Sequence, residues 1–282
     1  MIEYYFLFVI AFIFTFFASV QDLRKREVAN WINFSLIIFT LAYRAFYSII
    51  NKNFQFFLFG IIGFVIFFIF AHLLYYGKAF AGGDAKLLMG FGIILPYSDF
   101  ESFIFLPLFF IFLLFLIGAV YSMSYSVIIV GRNKQRFKKE FLHYLERYKF
   151  IVSISLLLFV FSLFLLKFYP FVISLSVLLI IPVLFMYTKS LEKCMIRVYK
   201  YNELSEGDWI VNNIKLTKNI IIKKTVHGLT MKDIKLLRKY KRNILVKEGI
   251  HFVPAFLIHL IFMGIIYYFG LNFGLLNIFN LI

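Results

Sequence analysis

The sequence predicts an all-α polytopic membrane protein of about eight transmembrane helices, with a small cytosolic α+β domain. Three observations lead there. Apolar runs near 20 residues long, enough to cross a hydrocarbon core, recur along the 282-residue chain. The residues are 62% hydrophobic and include 41 phenylalanines, a balance that no soluble domain of this size carries. The Lys and Arg residues gather between alternate apolar runs.

The first run, from about Ile2 to Val20, is followed by others and ends without a small-residue cleavage site, so it reads as a span and not a removable signal. Span two runs from about Ala29 to Ile50, with Trp31 at the interface. Span three covers Phe56 to Tyr76. The stretch Ala81-Gly82-Gly83-Asp84-Ala85-Lys86 then leads into a short span four, Leu87 to Leu95, which stops before Pro96. Span five covers Phe103 to Val130. Residues 1–130 are thus the expected membrane core, and the basic linker 131–149 reads as an amphipathic surface helix. Residues 150–187 form a transmembrane hairpin turning at Lys167 to Pro170, and 251–282 a last span with an interfacial tail.

Residues 188–250 are the one long polar region and read as the α+β domain. Trp209 to Leu216 and Ile220 to Lys224 suggest a strand pair. Thr230 with Asp233 three residues later is a capping box opening a basic helix that ends near Arg242. Fifteen basic against six acidic residues make this region a partner for anionic lipid head groups. Nucleic-acid binding is disfavoured, because no aromatic platform is interleaved with the charges.

Charge also sets orientation. The basic residues number three after span one, two after span three, seven after span five and fifteen in 188–250, with few in the alternate loops. The positive-inside rule places those four segments in the cytosol and the N-terminus outside. Of the 14 acidic residues, Asp22, Glu27 and Asp84 then fall at the cytosolic membrane edge. Carboxylates so placed are costly and mark function or a buried partner. Asp22 closes span one and Asp84 opens span four, so packing of the two spans would form an aspartic-protease dyad. Gly82 and Gly83 remove side-chain bulk for a sharp turn or a close backbone approach. Lys86 supports the motif as a charge balance or a lipid-phosphate ligand, while Glu27 reads as a surface partner of Arg24 or Lys25.

No cofactor or metal is expected. The single cysteine, Cys194, excludes Cys-x-x-Cys pairs, and the five histidines form no ligand set. His72, His251 and His259 lie on or beside apolar helices and read as interior or interface residues.

Around Val20-Gln21-Asp22-Leu23-Arg24-Lys25-Arg26-Glu27 and Gly82-Gly83-Asp84-Ala85-Lys86 the chain resembles the archaeal type IV prepilin and preflagellin peptidases, membrane aspartyl proteases of the Gly-x-Gly-Asp type. The resemblance covers roughly the first 130 residues, with Ala81 standing where the motif has its first glycine. It implies that Asp22 and Asp84 are the catalytic pair. It also implies substrates among pilin-like or flagellin-like precursors, whose short basic leaders are cut at the cytosolic face of the cell membrane. Glu206-Gly207-Asp208-Trp209 and Gly249-Ile250-His251-Phe252-Val253-Pro254-Ala255-Phe256 look like an extra C-terminal domain of some archaeal members. Val253-Pro254-Ala255 is similar to the Pro-Ala-Leu motif of presenilin-like proteases, although a proline opening a helix accounts for it.

Three other classes fit the residues less well. A signal-peptide-peptidase or presenilin-like intramembrane protease would carry Tyr-Asp in mid-span, whereas Asp22 follows Gln21 at a span end. A transporter using Asp22 and Asp84 would carry deeper carboxylates and repeats. A non-enzymatic assembly protein leaves the Gly-Gly-Asp stretch unexplained.

Overall fold

The computed structural model describes residues 2–77, 79–165, 177–217, 220–225 and 228–272. The chain divides into two compact units, Met1–Met123 with His251–Ile282, and Ser124–Ile250.

The first unit is a helical bundle. α1 (Ile2–Lys25), α2 (Asn30–Ile50) and α3 (Phe54–Tyr76) are apolar almost throughout, and α5 (Ser102–Arg132) begins within this unit. Their outer faces leave Phe12, Phe16, Phe17, Ile38, Phe68 and Phe112 exposed, as acyl chains would require. At the centre lies α4 (Gly82–Ile94), with Leu87, Leu88, Phe91, Ile93 and Ile94 fully buried. α10 (Val253–Asn272) packs beside α1.

Contact between α3 and α4 is made backbone to backbone. A Cβ built on Gly63 would overlap the Gly92 carbonyl oxygen, and one on Gly92 would overlap the Gly63 carbonyl. Small residues at such crossings let membrane helices approach closely. Gly60 does the same for Arg44, whose side chain fills the space a Cβ would take.

Among the described residues four helices are long and apolar enough to cross a membrane: Glu3–Lys25, Asn30–Ile50, Phe54–Tyr76 and Ser102–Arg132. The sequence predicted about eight, a count that the described residues do not confirm. α4 has 13 residues, about 20 Å at the helical rise, against a core about 30 Å thick. Within the described residues two further apolar helical stretches, the second in α10, reach Lys149–Ser162 and Val253–Tyr267. The expected hairpin turn at Lys167 to Pro170 and the tail after Asn272 lie outside the described residues.

The second unit contains α6 (Lys134–Arg147), α7 (Lys149–Leu165) and α8 (Val177–Cys194). α6 is basic and amphipathic, as its sequence predicts, and docks on α8 through Phe137 and Tyr187, ring centroids 5.4 Å apart. Helix α8 continues past Tyr187, the expected hairpin end, to Cys194.

The α+β part of this unit is built on β1 (Ile196–Tyr199), β2 (Trp209–Ile210), β3 (Ile214–Lys215), β4 (Ile221–Ile222), α9 (Met231–Lys239) and β5 (Ile244–Lys247). The predicted strand pair forms only in part. β3 and β4 make a small antiparallel hairpin, while β2 joins an antiparallel sheet of order β1-β5-β2. The Thr230–Asp233 capping box holds, with each side chain bonded to the other's backbone N–H. Leu204, Ile210, Leu229, Ile234, Leu237 and Val246 form the core of this part.

Candidate active site

Asp22 sits in the last turn of α1, with only 8% of its surface exposed. Gln21, beside it, accepts a hydrogen bond at 2.8 Å from the Ala29 N–H, which fixes the chain's return into α2. Asp84 is the third residue of α4 and is half-buried. Its Oδ2 accepts from the Ala81 N–H at 3.3 Å, a capping contact that an acidic residue favours at the positive end of a helix. The helix therefore starts at the two glycines, five residues before the span that hydropathy picks out.

Packing of α1 against α4 brings the two carboxyls within electrostatic reach, and the charge on Asp22 acts on Asp84. The motif glycines flank this meeting. Gly83 accepts a 3.4 Å hydrogen bond at its carbonyl from Asn33 Nδ2, and its α-carbon faces Val28, whose Cβ lies 3.4 Å from a Cβ built on it. Gly82 faces the Tyr75 ring at 3.7 Å on the same measure. Gly82 meets a side chain alone, whereas Val28 also brings its backbone N to 3.7 Å from the Cβ position of Gly83, so the chain itself makes a backbone approach at this pair. Lys86 Nζ donates to Asn30 Oδ1 at 2.8 Å, tying α4 to the start of α2.

Two further groups reach Asp22, both from the C-terminal segment. His251 Nδ1 lies 3.5 Å from Asp22 Oδ1, and the Val253 N–H donates to Asp22 Oδ2 at 3.2 Å. Ser19 Oγ, one turn back on α1, donates to the Val253 carbonyl at 3.4 Å. Below, Phe80, Phe252 and Phe256 stack into one aromatic floor, with centroids 5.5–5.7 Å apart. Phe80 directly precedes the Ala81-Gly82-Gly83-Asp84 turn, so the floor anchors that turn to α10.

The sequence reading missed the contact of His251 with Asp22, placing it among interior or interface histidines. That reading describes His72 and His259, whose ring nitrogens lie 2.8 and 3.1 Å from the Phe68 and Phe110 carbonyls. The signal for His251 was its place two residues before the Val253-Pro254 helix start. Among the described residues no three His, Cys, Asp or Glu side chains cluster as metal ligands would.

These features define a membrane protein whose helical bundle holds a two-carboxylate site at the junction of α1 and α4. Residues 9–123 match the type IV leader peptidase family. The chain is 29% identical over 150 residues to a preflagellin peptidase of Methanocaldococcus jannaschii, covering 48% of this chain and 63% of that protein. Over 79 residues it is 35% and 34% identical to the preflagellin peptidases of Methanococcus maripaludis and Methanococcus voltae, covering 28% of this chain and 34% of each relative. The match thus spans less than two thirds of the length of these relatives. No solved structure matches the chain. The likenesses bear out the resemblance to the prepilin and preflagellin peptidases read from the sequence.

Proposed function

We propose that the protein is a membrane-embedded aspartyl endopeptidase that removes short basic leader peptides from pilin-like or flagellin-like precursors. The meeting of Asp22 and Asp84 at the junction of α1 and α4 carries this reading. Likeness to preflagellin peptidases supplies the substrate class.

The proposed mechanism uses one carboxyl of the pair ionised and the other protonated. The ionised member takes a proton from a water as that water attacks the scissile carbonyl. Its protonated partner donates to the developing oxyanion, and the amide nitrogen leaves after gaining a proton. The clustering of Lys and Arg supports a cytosolic position for the pair and an N-terminus outside. A basic leader would then stay in the cytosol while the apolar helix behind it lies in lipid. The basic region 188–250 would rest on anionic head groups of the cell membrane.

A second reading, cleavage within the apolar helix as by presenilin-like proteases, draws on the Val253 contact with Asp22 beside Pro254. The test is cleavage of pilin-like and flagellin-like precursors by purified protein in detergent, with mass spectrometry of the products. Cleavage just before the apolar helix, lost in Asp22→Asn and Asp84→Asn but kept in Glu27→Gln, is the expected result. Product ends inside the apolar helix would favour the second reading. Normal cleavage by either aspartate variant would overturn both.

A further inference from the structure

We propose that His251 and the Val253 backbone N–H are positioning groups for Asp22, so that the segment opening α10 completes the active site. The inference rests on the peptidase reading above and adds to it a part of the chain beyond residues 9–123, the stretch that matches the peptidase family.

The geometry points to aiming of the carboxyl group. A carboxylate rotates about its terminal bond with little preference, so packing alone fixes its plane poorly. Here each oxygen of Asp22 has its own partner: Oδ1 faces His251 at 3.5 Å and Oδ2 accepts from Val253 at 3.2 Å. Two partners on two oxygens set the plane of the group and leave the remaining lone pairs for the reacting water and for Asp84. Asp84 is held differently, by one bond from Ala81 in its own turn. One carboxyl is thus pinned from a distant segment and its partner from within its own helix.

The pinning groups are themselves held. Val253 is 1% exposed and is the first residue of α10, where its N–H has no partner within the helix. The buried carboxylate of Asp22 fills that role. Ser19 ties the Val253 carbonyl to α1, and Phe252 locks against Phe80 and Phe256. A Cβ built on Gly118 of α5 would meet the Phe252 ring at 2.6 Å, so that ring is also wedged from below. Such support around a reacting group is what preorganised catalysis needs, because small misplacements cost rate even when binding is intact.

The test uses the full chain and the precursor cleavage assay. His251→Ala removes the ring, and His251→Asn returns an N–H donor close to the Nδ1 position. Val253→Pro deletes the backbone donor while keeping a residue suited to the first helical position. We expect His251→Ala to lower kcat by about 10- to 100-fold with KM within about twofold, as misplacement of a catalytic group does. His251→Asn should recover most of the loss, and Val253→Pro should resemble His251→Ala. Thermal unfolding of each variant in detergent separates misfolding from misplacement. If wild type cleaves, Asp22→Asn is dead and His251→Ala cuts at the wild-type rate, the positioning role is overturned while the peptidase reading stands. The same follows if His251→Asn is as slow as His251→Ala at equal stability. Failure of wild type on all precursors, with the protein folded, overturns the peptidase reading itself and the positioning role with it.

Discussion

Arg44 Nε donates to the Ile93 carbonyl at 2.6 Å, joining a buried cation on α2 to the end of α4. Its two other nitrogens donate to the Leu95 and Phe56 carbonyls at 2.8 and 2.6 Å. The guanidinium also lies 4.5 Å from the Phe56 ring centroid and 5.3 Å from that of Tyr4. Helix α4 ends inside the bundle, where the Leu95 carbonyl also accepts from the Tyr97 N–H at 3.1 Å and the Ile93 carbonyl has no next turn to bond. Arg44 meets that need, and the negative end of the helix favours a cation there. This accounts for a fully buried arginine with carbonyls in place of a carboxylate partner.

Replacing it with an apolar side chain of similar length, Arg44→Met, leaves three carbonyls without that donor. The Leu95 carbonyl keeps the Tyr97 N–H and that of Phe56 lies within α3, so the loss should be about 1–3 kcal/mol, the cost of one buried group left unpaired. Arg44→Lys keeps the charge but not the three-way fork, and should fall between. Denaturant unfolding in detergent reads both. A Met variant as stable as wild type would mean that α4 is capped by something else.

The crossing of α3 and α4 gives a second expectation. Gly63→Ala and Gly92→Ala each force a methyl into the carbonyl of the facing helix, which cannot yield as a flexible side chain would. Overpacking of this kind costs about 1–3 kcal/mol, and more where backbone must move. Gly264→Ala, on α10, is the internal control, since nothing lies within 4 Å of a Cβ there. It should raise stability by about 0.5–1 kcal/mol through helix propensity alone. Thermal unfolding of the three variants side by side is the measurement.

How much of this could be read from the chain alone depends on the distance over which each feature is determined. The carboxylates Asp22 and Asp84 stand out because charge is rare in apolar runs, a local property. The start of α4 was placed late because two glycines look unlike a helix, whereas Asp84 at the third position makes them the first turn. Arg44 carries no local signal of its role, because its partners, the Phe56, Ile93 and Leu95 carbonyls, come from α3 and the end of α4. His251 and Val253 reach Asp22 across 229 and 231 positions, and no pattern within a window reports such a pairing. β1 and β5 escaped notice for the same reason: their four-residue strands pair across more than 40 residues.

Motif glycines make a third test. A methyl on Gly82 or Gly83 meets nothing nearer than 3.7 and 3.4 Å, ordinary contact distances, with the Val28 backbone N at 3.7 Å from the second. Gly82→Ala and Gly83→Ala should therefore fold with stability within about 1 kcal/mol of wild type, the ordinary helix-propensity range for this change. Under the proposed function the precursor backbone is what passes close to these residues. Cleavage should then drop about tenfold or more, chiefly through KM, since the lost contact belongs to substrate binding. Unchanged cleavage would place the precursor elsewhere around the pair.

A dyad of Asp22 and Asp84, as the proposed function has it, makes a last expectation, about additivity. Asp22→Asn keeps the shape of the side chain and can still accept from Val253 through its amide oxygen, so folding should survive. Asp84→Asn likewise keeps an acceptor for the Ala81 N–H. Under the proposed function each variant removes one of two groups of a single proton relay, and groups that act as a unit lose most of their effect when either is removed. Single-turnover cleavage should fall by about 10³-fold or more in each single variant, and the double variant should be no slower than the worse of them. If instead the two losses multiply, the aspartates contribute independently, and a shared-proton dyad is the wrong description of the site.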